Sequence, residues 1–207
     1  MMSTVFTIGH STHSIEQFLS LLRRHGITAL GDVRSTPYSR FNPQFNREPL
    51  KQHLNECGID YVFLGMELGA RSEDASCYDH GKVQYDRLAQ ADLFQKGLAQ
   101  VREGSRERQV ALMCAEKDPL ECHRTILVSR HLGSMGIEIQ HILADGKLES
   151  QGDALKRLVT QLRLAGPDMF RSPADVIADA YRIQGERIAY NSSEVVQADA
   201  NARSVAG

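Results

Sequence analysis

Five short apolar runs, Val5–Ile8, Ile27–Val33, Ile59–Leu64, Val110–Met113 and Ile137–Leu143, recur along the chain, and helical patterns separate them. Each run has the length of a strand rather than of a helix. Between the first two, Ile15, Phe18, Leu19 and Leu22 fall at i, i+3, i+4 and i+7, one face of a helix that Ser14 and Gln17 can cap and Gly26 can end. Leu50, His53, Leu54 and Cys57 form a second stripe stopped by Gly58, and Asp92 to Glu103 reads as a third helix. Strands alternating with helices call for a parallel sheet covered on both faces. Right-handed crossovers then bring every strand's carboxyl end to one edge. The expected fold is a three-layer α/β/α domain, Rossmann-like or flavodoxin-like. Its five-stranded, mainly parallel sheet is expected in the order 3-2-1-4-5, with the first and fourth runs adjacent at the switch point.

One domain is expected over residues 1–190. Within it, residues 65–90 are polar, glycine-bearing and aperiodic, and read as a lid or binding loop. Residues 150–190 read as C-terminal helices: Leu155, Leu158, Val159 and Leu162 mark one, and Ser172-Pro173-Ala174-Asp175 caps the last. Residues 191–207 are polar and alanine-rich, the composition of a disordered tail.

Reactive side chains gather where the strands end. The carboxyl ends carry Gly9-His10-Ser11, Asp32-Val33-Arg34, Cys114-Ala115-Glu116 and His141, whereas the amino ends carry almost none. Ligands of open α/β sheets bind along that edge. The richest joint runs from Val110 to Arg124. There Asp118-Pro119-Leu120-Glu121 signals a helix start, with an acidic N-cap, proline at the first helical position and a glutamate placed for a capping box. The amides and positive dipole end of such a helix would face Cys114, Glu116 and Lys117.

The loop from Arg34 to Arg47 interleaves Arg34, Arg40 and Arg47 with Tyr38, Phe41 and Phe45. Guanidinium groups grip phosphate or carboxylate, and aromatic faces stack on bases, so a nucleotide or a nucleic-acid end is a natural ligand. The same residues also suit an ordered loop whose aromatics pack on the sheet edge and whose arginines pair with Asp32 or Glu48.

Composition narrows the classes. The 207-residue chain is 42% hydrophobic, enough to bury a core, and its net charge of −2 supplies no global attraction to nucleic acid or membrane. No apolar run has membrane-spanning length, and the opening residues lack the basic and apolar regions of a signal peptide. Four cysteines in so long a chain do not make a disulfide scaffold, so the expectation is a reduced, cytoplasmic protein without a membrane partner. Its oligomeric state is not readable.

Thr7-Ile-Gly-His-Ser11, Asp32-Val-Arg-Ser35, Ser39-Arg-Phe-Asn-Pro-Gln-Phe-Asn46, Met113-Cys-Ala-Glu116 with Cys122-His-Arg124, and Ala180-Tyr with Ile188-Ala-Tyr190 together resemble the bacterial domain-of-unknown-function family 488. The resemblance runs from about Val5 to Tyr190. It implies a compact α/β domain found in stand-alone cytoplasmic proteins, and it brings no catalytic residue, cofactor or substrate.

The preferred chemistry is acid–base catalysis on a phosphorylated, nucleotide or nucleic-acid-derived substrate, as in a hydrolase or transferase. Glu116 and Asp32 would supply carboxylates, and His10 a group titrating near neutrality. Arg34, Arg40 and Arg124, with Lys117 as a further cation, would hold the anion. Ser11, Tyr38, Phe41 and His123 complete the candidate substrate-binding set. Cys114 is expected to shape the site as a mostly neutral thiol, because burial and Glu116 oppose the helix dipole. A non-catalytic nucleotide or nucleic-acid binding module is the alternative.

A cysteine-dependent mechanism is a further reading. The strand-Asp-Val-Arg plus strand-Cys pattern looks distantly like rhodaneses and cysteine phosphatases, but this chain has Asp118 and Pro119 where their loop returns an arginine. A zinc site at Cys114, Cys122 and His123, with His10 across the sheet edge, is the last. Adjacent residues on a helix diverge by about 100°, which disfavours Cys122 and His123 as joint ligands. No metal and no cofactor are therefore expected.

Overall fold

The computed structural model describes residues 3–192. In chain order, β1 (Thr4–Gly9) leads to α1 (Ile15–Arg24), β2 (Ala29–Asp32), α2 (Arg47–Glu56), β3 (Asp60–Phe63) and α3 (Gly65–Leu68). A hairpin of β4 (Tyr78–Asp79) and β5 (Lys82–Val83) follows, then α4 (Tyr85–Leu88), α5 (Asp92–Gly104) and β6 (Val110–Cys114). A π-helical segment, Arg124–Ser129, continues into α6 (Arg130–Ser134), and β7 (Glu138–Ile142), β8 (Leu148–Ser150), α7 (Gln151–Gln161) and α8 (Pro173–Ile188) complete the fold.

The architecture is α/β with a mainly parallel, mixed sheet of six strands in the order β3-β2-β6-β1-β7-β8. β8 is the sixth strand and pairs antiparallel with β7 at the edge. The expected order 3-2-1-4-5 is corrected. β6 inserts between β1 and β2, pairing Gly9 with Cys114 on one side and Asp32 with Met113 on the other. All five residues of β6 are buried, and the centre of the sheet is where such a strand leaves water on every side. The first and fourth runs are adjacent, as the switch point requires.

Apolar residues form a layer on each face of the sheet. Phe18 and Leu22 of α1 with Leu50 and Leu54 of α2 cover one face, and Phe94 and Leu98 of α5 with Leu127, Val128 and Leu132 cover the other. Helices following β1 and β2 therefore leave on the face opposite to the helix following β6. Chain connections diverge on either side of Cys114 and open a crevice at the carboxyl edge. Local signals start the helices as read: Gln17 N donates to Ser14 Oγ at 3.2 Å, and Ser172 and Asp175 form a reciprocal capping box at α8.

Three segments differ from expectation. Residues 65–90 contain four short elements and a 3₁₀ turn, Ala75–Cys77, with Leu68, Cys77, Val83 and Leu88 buried in the core. The stretch is scaffold as well as wall of the crevice; elements of two to four residues are too short to show a period. Asp118 starts only a 3₁₀ turn, Pro119–Glu121, and the helix proper begins at His123 because Cys122 is extended (φ −138°, ψ 140°). Past Tyr190, Asn191 bridges to Lys82 and Ser192 N donates to the Gly81 carbonyl at 2.9 Å. The rest of the expected disordered tail, 193–207, lies outside the described residues.

α7 and α8 brace the 3₁₀ turn from outside. Arg157 grips Asp118 at 2.7 and 3.0 Å, and Gln184 Nε2 donates to the Leu120 carbonyl at 2.9 Å. Leu120 and Ile126 pack with Leu155, Leu158, Ala180 and Tyr181 in a third apolar cluster.

Candidate functional site

β6 ends on Cys114, and the extended backbone at Cys122 folds the chain back so that Cys122 and His123 both face it. His123 Nδ1 lies 3.7 Å from Cys114 Sγ and 3.8 Å from Cys122 Sγ, while its Nε2 lies 3.1 Å from the Val33 carbonyl oxygen. The Val33 carbonyl can only accept, so Nε2 carries a proton. Arg124 N donates to Cys122 Sγ at 3.4 Å. Cys122 thus caps the helix with its sulfur, and the break that sequence spacing did not show makes the two adjacent residues converge.

The two thiols differ. Burial opposes ionisation of Cys122, but the Cys114 S–H, the Arg124 guanidinium and His123 outweigh it and hold Cys122 well below the usual thiol range. Sharing its proton with Cys122 and being buried push Cys114 well above that range. His123 is raised: burial favours the neutral ring, but the Cys122 charge and its hydrogen bond prevail. Of the two, Cys122 is the one whose neighbours favour the charged form.

Arg124 is 1% exposed, and its Nη1 donates to the Glu116 carbonyl at 2.9 Å. It shapes the loop after β6. Lys117 side chain is exposed and lines neither crevice described below; only its carbonyl, 3.5 Å from Arg124 Nη2, joins the site's framework. Glu116 reaches the crevice mouth, where burial of its inner part and the Cys122 charge raise its carboxyl pKa.

Arg34 is nearly buried and heavily committed. Its Nε and Nη2 donate to the two oxygens of Asp32 at 2.9 and 2.7 Å, Nη2 also donates to the Phe45 carbonyl at 2.8 Å, and Nη1 donates to His10 Nε2 at 3.2 Å. Four of about five guanidinium N–H groups are used, which leaves one on Nη1. Asp32 also accepts from Tyr61 Oη at 2.9 Å and is fully buried, so it positions Arg34 and has no oxygen turned to a ligand. His10 accepts from Arg34 through Nε2, so its Nδ1–H donates to the Ser11 carbonyl at 2.9 Å, and its ring stacks on Phe45 with centroids 4.5 Å apart. Burial pulls its pKa down to about 4. The expectation that His10 titrates near neutrality is therefore corrected: it is a neutral support for Arg34.

Two crevices meet at Arg34, Thr36 and Ala115. The inner one, about 280 Å³, is walled by Arg34, Arg71, Glu116, Cys114, His123 and Tyr190. The outer one, about 420 Å³, holds Ser11, His10, Tyr38 and Asn42. Phe41 and Tyr38 are 86% and 66% exposed, with Arg40 5.8 Å from the Phe41 ring centre, so this part of the loop faces solvent while Phe45 is core. Arg47 stacks on Phe63 at 4.8 Å and is structural. Sequence reasoning missed Arg71, which lies 4.3 Å over the Tyr190 ring, and Tyr85 beside it. The glycine-bearing stretch before Tyr85 was the only local hint of Arg71.

Fold and site together define a three-layer α/β protein with a buried cysteine–histidine cluster beneath an arginine-lined crevice at the sheet's carboxyl edge. Neither the curated proteins nor the solved structures include a match to this chain. The family model described as Domain of unknown function DUF488 matches residues 14–131, more than half of the chain, and the chain belongs to that family. The matched region contains the arginine-aromatic loop and the whole Cys114–Arg124 joint; Gly9-His10-Ser11 and Tyr190 lie outside it. Among the described residues, no helix is long and apolar enough to cross a membrane.

Proposed function

We propose that the inner crevice is the active site of a hydrolase or transferase acting on a small anionic substrate, phosphorylated or nucleotide-like. The observation that carries this reading is the Arg34 guanidinium, immobilised by Asp32, His10 and the Phe45 carbonyl, on the wall that faces Glu116. A guanidinium already fixed and partly desolvated loses little entropy on gripping an anion. Arg71, steadied over Tyr190, supplies a second cation. Glu116 is the group placed to move a proton at the crevice mouth. His10 and Asp32 act through Arg34 as positioning residues.

The test is a binding and turnover screen with inorganic phosphate, nucleotides and phosphorylated nucleosides. Arg34→Lys and Arg71→Ala should each weaken binding about 10-fold, the worth of one charge-assisted contact. Glu116→Gln should abolish turnover and retain binding. Unchanged anion affinity in both arginine variants overturns the reading.

A non-catalytic nucleotide or nucleic-acid module is the second reading, favoured by exposed Phe41 and Tyr38 beside Arg40. In that case Phe41→Ala lowers affinity for a short single strand, and Glu116→Gln changes nothing.

A further inference from the structure

We propose that Cys114, Cys122 and His123 bind one zinc-class metal ion whose fourth coordination position opens into the inner crevice. Their three donor atoms lie within 4.8 Å of one another, and all three residues are buried. In a tetrahedral site with the usual zinc–sulfur and zinc–nitrogen lengths, neighbouring nitrogen and sulfur ligands stand about 3.6 Å apart. The two Nδ1–Sγ separations here are 3.7 and 3.8 Å. Two of the cluster's three edges are therefore already those of such a site, and the third, between the sulfurs, is no longer than 4.8 Å.

Neighbouring backbone groups orient two of the three donors. The Val33 carbonyl takes the Nε2 proton of His123, which leaves Nδ1, facing both sulfurs, as the nitrogen that would give up its proton to a metal. The Arg124 amide donates to Cys122 Sγ, as it would to a metal-bound thiolate. Two sulfurs and one imidazole suit zinc and exclude magnesium or calcium as the preferred ion. Among the described residues, this is the one group of at least three His, Cys, Asp or Glu with that convergence. Cys57 and Cys77 are elsewhere: Cys57 Sγ receives Arg23 Nη2 at 3.0 Å, and Cys77 is in the core around Leu68 and Val83.

Cys114 and His123 line the inner crevice and Cys122 does not, so the ion's uncovered side faces that crevice. Three protein ligands with an open position mark catalytic rather than structural zinc. Water held there would have a lowered pKa, beside a carboxylate, Glu116, that is not itself among the donors. Zinc hydrolases of nucleobases combine a cysteine–histidine zinc site with a non-ligand glutamate in this way. Metal binding rests on the donors alone and does not depend on the anion reading above.

The experiment uses the full chain, purified reduced and without chelators. Elemental analysis should find about one zinc per chain. After zinc removal, titration with cobalt(II) should produce a thiolate-to-cobalt charge-transfer band. Cys122→Ser and Cys114→Ser should each lose most of it, and His123→Gln should weaken cobalt binding. The Cys57→Ser/Cys77→Ser double variant should keep it. Circular dichroism identifies any variant that fails to fold, and zinc displacement of cobalt in the wild-type chain then carries the test. Arg34→Lys and Arg71→Ala should retain the metal even where they lose anion binding, which separates the two proposals. A reduced wild-type chain with neither zinc nor the cobalt band overturns the inference. So does a band that survives in folded Cys114→Ser and Cys122→Ser.

Discussion

Arg34 and Asp32 form a buried two-point pair, Nε to Oδ1 at 2.9 Å and Nη2 to Oδ2 at 2.7 Å, two residues apart at the end of β2. Removing one partner strands the other charge away from water. Asp32→Ala is expected to destabilise the fold by about 3–5 kcal/mol, measured by denaturant unfolding. The double variant Asp32→Ala/Arg34→Met should recover a large part of that loss. A single variant costing under about 1 kcal/mol, the range of an exposed pair, would show that the pair is not held as described.

Gly9 closes β1 against the loop that carries Glu116. A Cβ at this position would collide with the Glu116 carbonyl and press within 3.2 Å of Arg124 Nη2. Gly9→Ala should therefore cost about 1–3 kcal/mol through overpacking and weaken any ligand bound in the inner crevice. Wild-type stability together with wild-type binding would contradict this.

His141 bridges Thr7 Oγ1 at 2.7 Å and Gln151 Oε1 at 2.8 Å, and Gln151 passes the chain on to Tyr181. Burial lowers its pKa from 6.5 to about 4. Below about pH 6.5 the unfolded chain takes up a proton that the native ring refuses until about pH 4. This contribution is thus complete above the upper value, shrinks as pH falls and has lost about 3 kcal/mol at the lower one. Unfolding free energies at pH 7, 5.5 and 4.5 should fall in that order. His141→Gln should have a shallower slope over the window, and an unchanged slope would exclude this histidine as a source.

Ser172 caps α8 through the amide of Asp175, at 3.2 Å, and α8 in turn supports Leu120 through Gln184. Ser172→Ala should cost about 1 kcal/mol in denaturant unfolding, with Ser172→Asn near wild type. Equal losses in both variants would mean that something other than the cap is being measured.

Local pattern was enough for the alternation of strands and helices, the starts of α1 and α8, and the meeting of Cys114 with His10 along one edge. Periodicity and capping are properties of neighbouring residues, and parallel strands share a direction once the crossovers share a hand. Strand order was beyond that reach. β6 displaced β2 from β1 because its fully apolar run is best buried at the sheet's centre, a competition among distant segments. β8 and the hairpin near residue 80 are too short to carry a period.

The site divides the same way. Its residue types were readable at the strand ends, but their partners were not. Arg34 spends most of its donors on Asp32, His10 and Phe45, so His10 is neutral and Asp32 is a support. An extended backbone at a single residue, Cys122, turns two side chains expected to diverge toward a third one eight positions earlier. Arg71 and Tyr190 enter the crevice from segments far apart in the sequence. The sequence by itself determined which chemistries could collect at the carboxyl edge. Only the tertiary structure decided which of those groups are spent holding one another and which face the crevice, because long-range packing distributes a limited number of donors, acceptors and charges.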